Sequence, residues 1–510
     1  VSVPLSASDR IGTVRRLHRD RTEGRTQADT AFWAYVVVLL LAMVVVPLVL
    51  GIASVLAEPE VLAALRSDRS DSVVAAAAGC LLAAAAVLGA HRGPAHLPPF
   101  LVTVLAGNDL PRARTLARPF VTSAAGLTLV VTAAAALPAV VLLRAGGTGV
   151  AGAVAFVAGS ACLGAVTATA WLAGQRIGPR HGWVLPVALL AATALTAVAP
   201  ALAVVTPWGW VADLWPPTAQ GSPWALLPLA LVTLVCLDAV PRLLNRLRGP
   251  LLLDQAGRWE IVGTAAYTGD FAAALAMFRA RPRLGRAWWA VPTAPAPIRY
   301  AVRDLVGALR TPVRGLTGLF FLGVGGFLTG LAVAGTALPA WLLAGVGAVA
   351  TYAGLGTVTD GFRHAADTRS APALYGYGTA ELFGLHALTP VLLAVAGTVA
   401  GAVVAQRAGW EAAGLLEAGL LGILLVVVRA YDSAKGMLPL ILLTPAPSPA
   451  GDLSGLMVLA WQADALLISI TLAVTLALAT TAAGLLMGLG AAILGGAVVI
   501  ALTAWRLRQP

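Results

Sequence analysis

Residues Gly315–Thr359 read GLTGLFFLGVGGFLTGLAVAGTALPAWLLAGVGAVATYAGLGTVT, without one Asp, Glu, Lys or Arg. A bilayer core is crossed by about 20 apolar residues in a helix, so this run is too long for one crossing and about right for two. Gly335 and Pro339 sit at its middle, where a helix pair needs its turn. The stretch therefore predicts two membrane-spanning helices back to back.

Working outward, the same charge-free runs recur along the chain. They predict spans near 31–56, 72–90, 119–143, 147–174, 183–205 and 223–240, then near 315–334, 339–358, 387–406, 411–428, 456–479 and 484–505. The expectation is an all-α integral membrane protein of about twelve transmembrane helices in two six-helix halves. Composition agrees: 59% of residues are hydrophobic, 11% are charged and mean hydropathy is +0.86. Ordinary soluble domains carry about 25% charged residues. A membrane β-barrel would need short alternating segments, which the sequence lacks. Cys80, Cys162 and Cys236 all lie in apolar runs, as small hydrophobes do, so neither a disulfide framework nor a metal site is expected. The first apolar run follows a basic segment and is too long for a cleaved signal, so it is expected to stay as an anchor.

Basic residues set the orientation. With the N-terminus in the cytoplasm, 30 of the 34 Lys and Arg residues fall in cytoplasmic segments. Only Arg66, Arg69, Arg144 and Arg407 fall outside. Both termini are thus expected in the cytoplasm of a multi-pass cell-membrane protein. The net charge of +11 reads as topology and contact with anionic lipid, not as nucleic-acid binding.

The organisation reads as residues 1–240 for the first six-span half, 241–312 for a cytoplasmic linker and 313–510 for the second half. Fused repeats of this kind are common among transporters. In the loop after the second span of each half, a glycine stands twelve residues before the proline opening the third: Gly107 before Pro119, and Gly378 before Pro390. Within these loops one helix is expected from an Asn108 or Asp109 cap with Pro111 in its first turn, and another from a Thr379 cap, either as separate helices on the cytoplasmic face or as capped extensions of the third span. In the linker, Asp270 is a cap for a helix bearing Phe271, Leu275 and Phe278. Ile298, Val302, Leu305, Val306 and Leu309 then form an apolar stripe opposite Arg299, Arg303, Asp304 and Arg310, the pattern of a helix lying in the membrane interface.

No phosphate-binding GxxxxGK[ST] loop is present, and the one lysine, Lys435, stands in Ser-Ala-Lys-Gly. HExxH, CxxC and GxSxG are absent as well. No residue is assigned a catalytic role. Four acidic groups lie within spans, where ionisable side chains are costly and usually functional. Asp238, beside Arg242, and Glu411, beside Arg407, read as interfacial ion pairs. Glu417 and Asp464 lie deeper, as either pathway residues or buried structural hydrogen bonds. Between spans five and six, Trp208, Trp210, Trp215 and Trp224 form either an interfacial aromatic belt or a short helix closing an outer mouth.

In its basic lead-ins, its loops at 91–118 and 361–386 and its Pro207-Trp208-Gly209-Trp210 segment, the chain resembles the membrane subunits of type-two ABC exporters. The likeness is to the double-length actinobacterial permeases in which two six-span units are fused. That resemblance implies coupling to an ATPase through Asn108, Asp109, Arg112, Arg114, Thr379 and Glu381, with an outer gate at Trp208, Trp210 and Trp215. It also implies a pair of cytoplasmic ABC ATPase subunits that bind ATP and Mg, this chain having no cofactor of its own. The substrate would be a hydrophobic natural product, peptide or lipid. The second half lacks a comparable aromatic segment, a departure from the family pattern.

Two other classes compete. A proton-coupled twelve-span transporter would use Glu417 or Asp464 as its proton carrier, but the basic, glycine-rich motif expected at 91–118 is missing. A membrane glycosyltransferase would rest on Glu58, Glu60, Asp68 and Asp71, but Arg66 and Arg69 largely neutralise that loop and no large external domain accompanies it. The orientation is open to direct test. In a chain with its three native cysteines replaced by alanine, cysteines at Ser222 and Gly285 are expected to label from opposite faces of intact cells; same-side labelling overturns the topology.

Overall fold

The computed structural model describes residues 7–22, 41–67, 70–107, 110–217, 223–267, 287–335, 338–369, 376–405, 412–436, 438–444, 446–448 and 451–508, a few positions between 31 and 39, and Gly285. The chain packs as two compact units, Val1–Thr264 and Ala265–Pro510. Both are built from helices. The β structure among the described residues is a two-residue antiparallel contact, Pro447–Ser448 against Gly451–Asp452.

The first unit contains α1 (Ala7–Thr22), α2 (Val37–Leu56), α3 (Pro59–Leu65), α4 (Ser70–His91), α5 (Ala117–Arg144), α6 (Val150–His181), α7 (Val184–Val198), α8 (Pro207–Asp213), α9 (Leu226–Asn245) and α10 (Gly249–Tyr267). Helix α6 is its hub, touching α4, α5, α8 and α9. Two apolar cores flank it, one around Leu82, Phe156, Trp215 and Leu229, the other around Leu105, Leu116, Phe120 and Leu244. Ile11 of α1 is buried in the second and Val14 packs against it, which pins the polar lead-in helix to the unit.

The second unit contains α11 (Ala296–Leu309), α12 (Pro312–Val333), α13 (Ala340–Leu355), α14 (Asp360–Asp367), α15 (Thr379–Ala405), α16 (Ala412–Ser433), α17 (Ser454–Ala483) and α18 (Leu485–Arg508). Here α16 is the hub, touching α12, α13, α15, α17 and α18 around Leu421 and Leu425. The expected turn falls where Gly335 takes a left-handed φ of 64°, and Gly484, with φ 83°, separates α17 from α18.

Lipid tails give helices no hydrophobic reason to associate, so close backbone approach at small residues has to supply the packing. In the second unit α12 does this on two sides. Gly326 faces the Thr398 carbonyl of α15 and Gly401 faces the Gly323 carbonyl, each so closely that a methyl group would not fit. On the other side Gly354 of α13 packs on Gly318. Large apolar side chains point away from both cores: Leu227 and Leu231 on α9, and Leu486 and Ile493 on α18, are all well exposed. In water that surface would aggregate; in a bilayer it is the lipid-facing side.

Ten helices among the described residues are long and apolar enough to cross a membrane, eleven if α13 and α14, bent by 63° at their junction, count as one broken span. The chain is a multi-pass helical membrane protein. The expectation of about twelve uniform spans is corrected at two places. Near 183–205 the α-helix stops at Val198, because Pro200, which has no N–H to donate, opens a 3₁₀ segment, Pro200–Val205. Near 339–358 the helix stops at Leu355 and turns sharply into α14. The close approaches make a testable statement. Gly401→Ala should lower the melting temperature of the detergent-purified chain, overpacking costing about 1–3 kcal/mol. Gly323→Ala, whose new methyl meets nothing within 4 Å, should not; equal effects would refute the packing.

Candidate functional site

The densest polar constellation lies at one end of the second unit, where α13 and α16 end, α17 begins and α18 ends. Asp464 of α17 sits between two cations: Lys435 Nζ at 2.5 Å and Arg506 at 2.6 Å. The Tyr431 hydroxyl donates to the same carboxylate at 3.1 Å. Lys435 also faces Asp432 at 3.7 Å, and Asp432 accepts from Arg429 at 3.4 Å and from the Tyr352 hydroxyl at 2.8 Å. Five charges and two tyrosines thus form one network.

The arginines do a second job. Arg429 donates from Nε (3.1 Å) and from a terminal nitrogen to the Tyr352 carbonyl at the end of α13. Arg506 donates to the Tyr431 carbonyl near the end of α16, and Arg314 of α12 to the Gly356 carbonyl just past α13. Helix C-termini leave four carbonyls without intrahelical partners and carry partial negative charge, so guanidinium groups from neighbouring helices satisfy both needs. Arg429 and Arg506 also lie over the rings of Tyr352 and Tyr431, with 3.5 and 3.7 Å to the ring centroids.

Glu417 is the exception to this charged end. It lies on α16 twelve residues before Arg429, about 18 Å along the helix at 1.5 Å per residue. Its residue is only 1% exposed, and neither carboxylate oxygen has a hydrogen-bond partner. The Thr480 hydroxyl of α17 faces it, without a well-aligned hydrogen bond between the two. An unpaired buried carboxyl in hydrocarbon is costly enough to be a feature with a purpose.

In the first unit the tryptophan segment forms α8, whose N-cap Thr206 accepts from the Gly209 N–H. Trp208, Trp210 and Trp215 are buried rather than spread in a belt. Trp208 donates to Thr196, Trp210 to the Val204 carbonyl and Trp215 to the Leu65 carbonyl. These bonds tie α8 back onto α7 and onto the turn after α3. Trp224 alone is exposed, at 48%. At the end of α8, burial raises the Asp213 carboxyl above its usual range, with Asp71 adding to the effect.

The loops expected to couple to an ATPase are built differently from their sequence reading. Asn108 and Asp109 lie outside the described residues. The helix expected from them is a single turn, Arg112–Thr115, that begins after Pro111. Its first N–H groups are served by a neighbour: Asn245 Oδ1 accepts from Ala113 N at 2.8 Å. Arg112 turns inward, donating to the carbonyls of Leu247 and Ala106, so it does not project as expected; Arg114 is exposed. The helix at Thr379 is not separate but the start of α15, and its end is closed by Glu381 accepting from the Gly378 N–H at 2.8 Å rather than by a Thr379 cap. The surface helix of that loop is α14, which no residue pattern had marked. Phe362 stacks on Phe383 with centroids 5.5 Å apart, while His364 and Asp367 face outward. In the first unit two short helical turns, Pro99–Leu101 and Val102–Ala106, lie between α4 and α5.

The amphipathic lead-in α11 keeps its stripe uncovered within its unit, with Ile298, Leu305 and Leu309 about half exposed. Its polar side is anchored: Asp304 meets the buried His386 of α15 at 2.6 Å. Asp238 and Arg242 pair at 3.0 Å on exposed positions of α9. Glu411, Asp68 and Asp270 with Phe271, Leu275 and Phe278 lie outside the described residues.

No family model, curated protein or solved structure matches this chain. The geometry therefore carries the functional reading. Sequence reading had found Asp464 but treated Arg429, Lys435 and Arg506 as topology signals and did not single out Tyr352, Tyr431 or Asp432. The signal that could have found the network is Arg429-x-x-Asp432-x-x-Lys435, charges at i, i+3 and i+6 on one face at a helix end. The network predicts an asymmetric response. Asp464→Asn, which strands two mostly buried cations, should destabilise the purified chain by about 3 kcal/mol. Asp238→Asn, which breaks a mostly exposed pair, should cost less than about 1 kcal/mol. Denaturation in matched detergent distinguishes the two, and equal losses refute the network.

Proposed function

We propose that the chain is the membrane-spanning permease subunit of an ATP-driven ABC exporter that moves a hydrophobic or amphipathic substrate out of the cytoplasm. The observation that carries this reading is a repeated order of parts. Each unit has a lead-in helix (α1, α11) before its first span and short helical elements between its second and third spans (Pro99–Ala106, α14). Packing supports the repeat. In both units the second span lies against the fifth, the third against the fourth and the fourth against the sixth, if α7 and α13 hold the fifth and eighth positions. In this reading the chain has a two-times-six arrangement, with both termini cytoplasmic by the distribution of basic residues.

In this reading ATP and Mg are bound by two copies of a separate cytoplasmic ATPase, because the sequence holds no phosphate loop. Arg114 and the outward side of α14 would meet the ATPases, and α8 would close the outer side of the first unit. Expression together with an ABC ATPase should give a complex that hydrolyses ATP, while the isolated chain should not. Reversing charge at the contact, Arg114→Glu with Asp367→Arg, should cut transport at least tenfold with insertion unchanged. Hydrolysis by the isolated chain, or full transport by the double variant, would count against the assignment.

Glu417 supports a second reading, proton-coupled transport, since a proton carrier is a buried carboxyl without a fixed partner. The two separate by energy source: transport in vesicles without ATPase subunits, driven by a proton gradient and lost in Glu417→Gln, would favour the second.

A further inference from the structure

A groove of about 410 Å³ runs between α4, α5 and α6 of the first unit. Its walls include Leu81 and Leu88 of α4, Gly126 and Val130 of α5, and Trp171 of α6. Val130 and Leu88 are 65% and 49% exposed, so the groove opens sideways where the helices face lipid. Because α4 ends, α5 begins and α6 ends nearby, the groove belongs to one end of the bundle. From Thr122 to Val130 it follows about 12 Å of α5 at 1.5 Å per residue. Its occupant must be apolar along that length.

The end of the groove is cationic. Arg118 is exposed one turn below Thr122, whose hydroxyl donates to the Arg118 carbonyl at 3.1 Å; Arg118, Thr122 and Gly126 therefore share a face of α5. Leu88 leads, one turn on, to Arg92, whose carbonyl accepts from the Trp171 indole N–H at 2.6 Å. Arg15 of α1 bonds the Thr115 carbonyl beside them. Among the described residues none of these three arginines is in a salt bridge. The mutual field is felt: burial and then Arg118 lower Arg15, and burial and then Arg92 lower His96.

We propose that this groove binds an anionic phospholipid of the surrounding bilayer, one acyl chain against Gly126 and Trp171 and the phosphate at Arg118. The juxtaposition of a lipid-open apolar slot with unneutralised arginines at its headgroup end selects this occupant over a zwitterionic lipid, whose ammonium group the arginines would repel. The inference depends on the chain spanning a membrane and not on the exporter assignment.

Native mass spectrometry of the full chain, extracted from nanodiscs of equal phosphatidylglycerol and phosphatidylcholine, tests it. One phosphatidylglycerol should be retained per chain, at least fivefold over phosphatidylcholine. A side chain at Gly126 enters open space, with nothing within 4 Å of a Cβ, so Gly126→Leu should fold normally and lower retention of both lipids at least fivefold. Arg118→Gln should abolish the preference for phosphatidylglycerol while leaving the melting temperature unchanged. Diazirine-acyl phosphatidylglycerol should crosslink within 122–130. Equal retention of the two lipids by the native chain, undiminished retention in Gly126→Leu, or an undiminished preference in Arg118→Gln overturns the proposal.

Discussion

Backbone carbonyls at helix ends have no water to turn to where a bilayer begins, and the second unit is organised around that constraint. Three of its helices lend an arginine to the last turn of a neighbour: Arg314 and Arg429 to α13, Arg506 to α16. Arginine suits the task because its fork can bond a carbonyl and a carboxylate at once without losing its charge. Desolvating so many cations would be unfavourable alone. Asp432 and Asp464 supply the compensating charge for Arg429 and Arg506, whose guanidinium faces Tyr352 and Tyr431 cover, and Asp360 supplies it for Arg314. Caps, ion pairs and aromatic faces therefore stand or fall together.

The first unit also uses arginines, Arg66 on the Ala145 carbonyl and Arg112 on the Leu247 carbonyl, but adds neutral groups to them. Gln175 and Gln255 bond each other at 3.0 Å, Gln255 also reaches the carbonyls of Gly89 and Ala90, and Trp259 donates to the His91 carbonyl at 3.2 Å. Buried amides tie α4, α6 and α10 without requiring a counter-charge. Among its described residues α2 buries none within its unit. The buried amide network belongs to the first unit and the dense ion-pair network to the second.

Hydropathy made the long apolar helices legible, because burial in lipid depends on composition and length, but their ends lie up to eight residues from where it put them, as at Thr379. The breaks at Gly335 and Gly484 were legible for the same reason that turns are: few residues tolerate those backbone angles. What the sequence concealed were partners far apart in the chain. Arg506 and Asp464 are separated by two long helices, and nothing local marks them as neighbours. Arg112 reads as a surface charge until the Leu247 carbonyl is seen beside it. Helix α14 escaped notice because its apolar side is just Phe362, Ala365 and their neighbours, too short a pattern to stand out. The burial of Trp208, Trp210 and Trp215 was open in the sequence, since an indole suits either a membrane interface or a hydrogen-bonded core.

The interhelical arginine caps have a mechanical consequence. A bond from one helix to the last carbonyl of another fixes their relative height, because sliding by a single residue, about 1.5 Å, carries the acceptor out of reach. With Arg314, Arg429 and Arg506 each gripping a different rung, α12, α13, α16 and α18 are geared together at that end like bars in a locked vernier. Shear between them is blocked, while tilting about the clamped end, which leaves the short bonds nearly unstrained, remains soft. Any working motion of this unit would then open it as a fan, widest at the end where Glu417 lies.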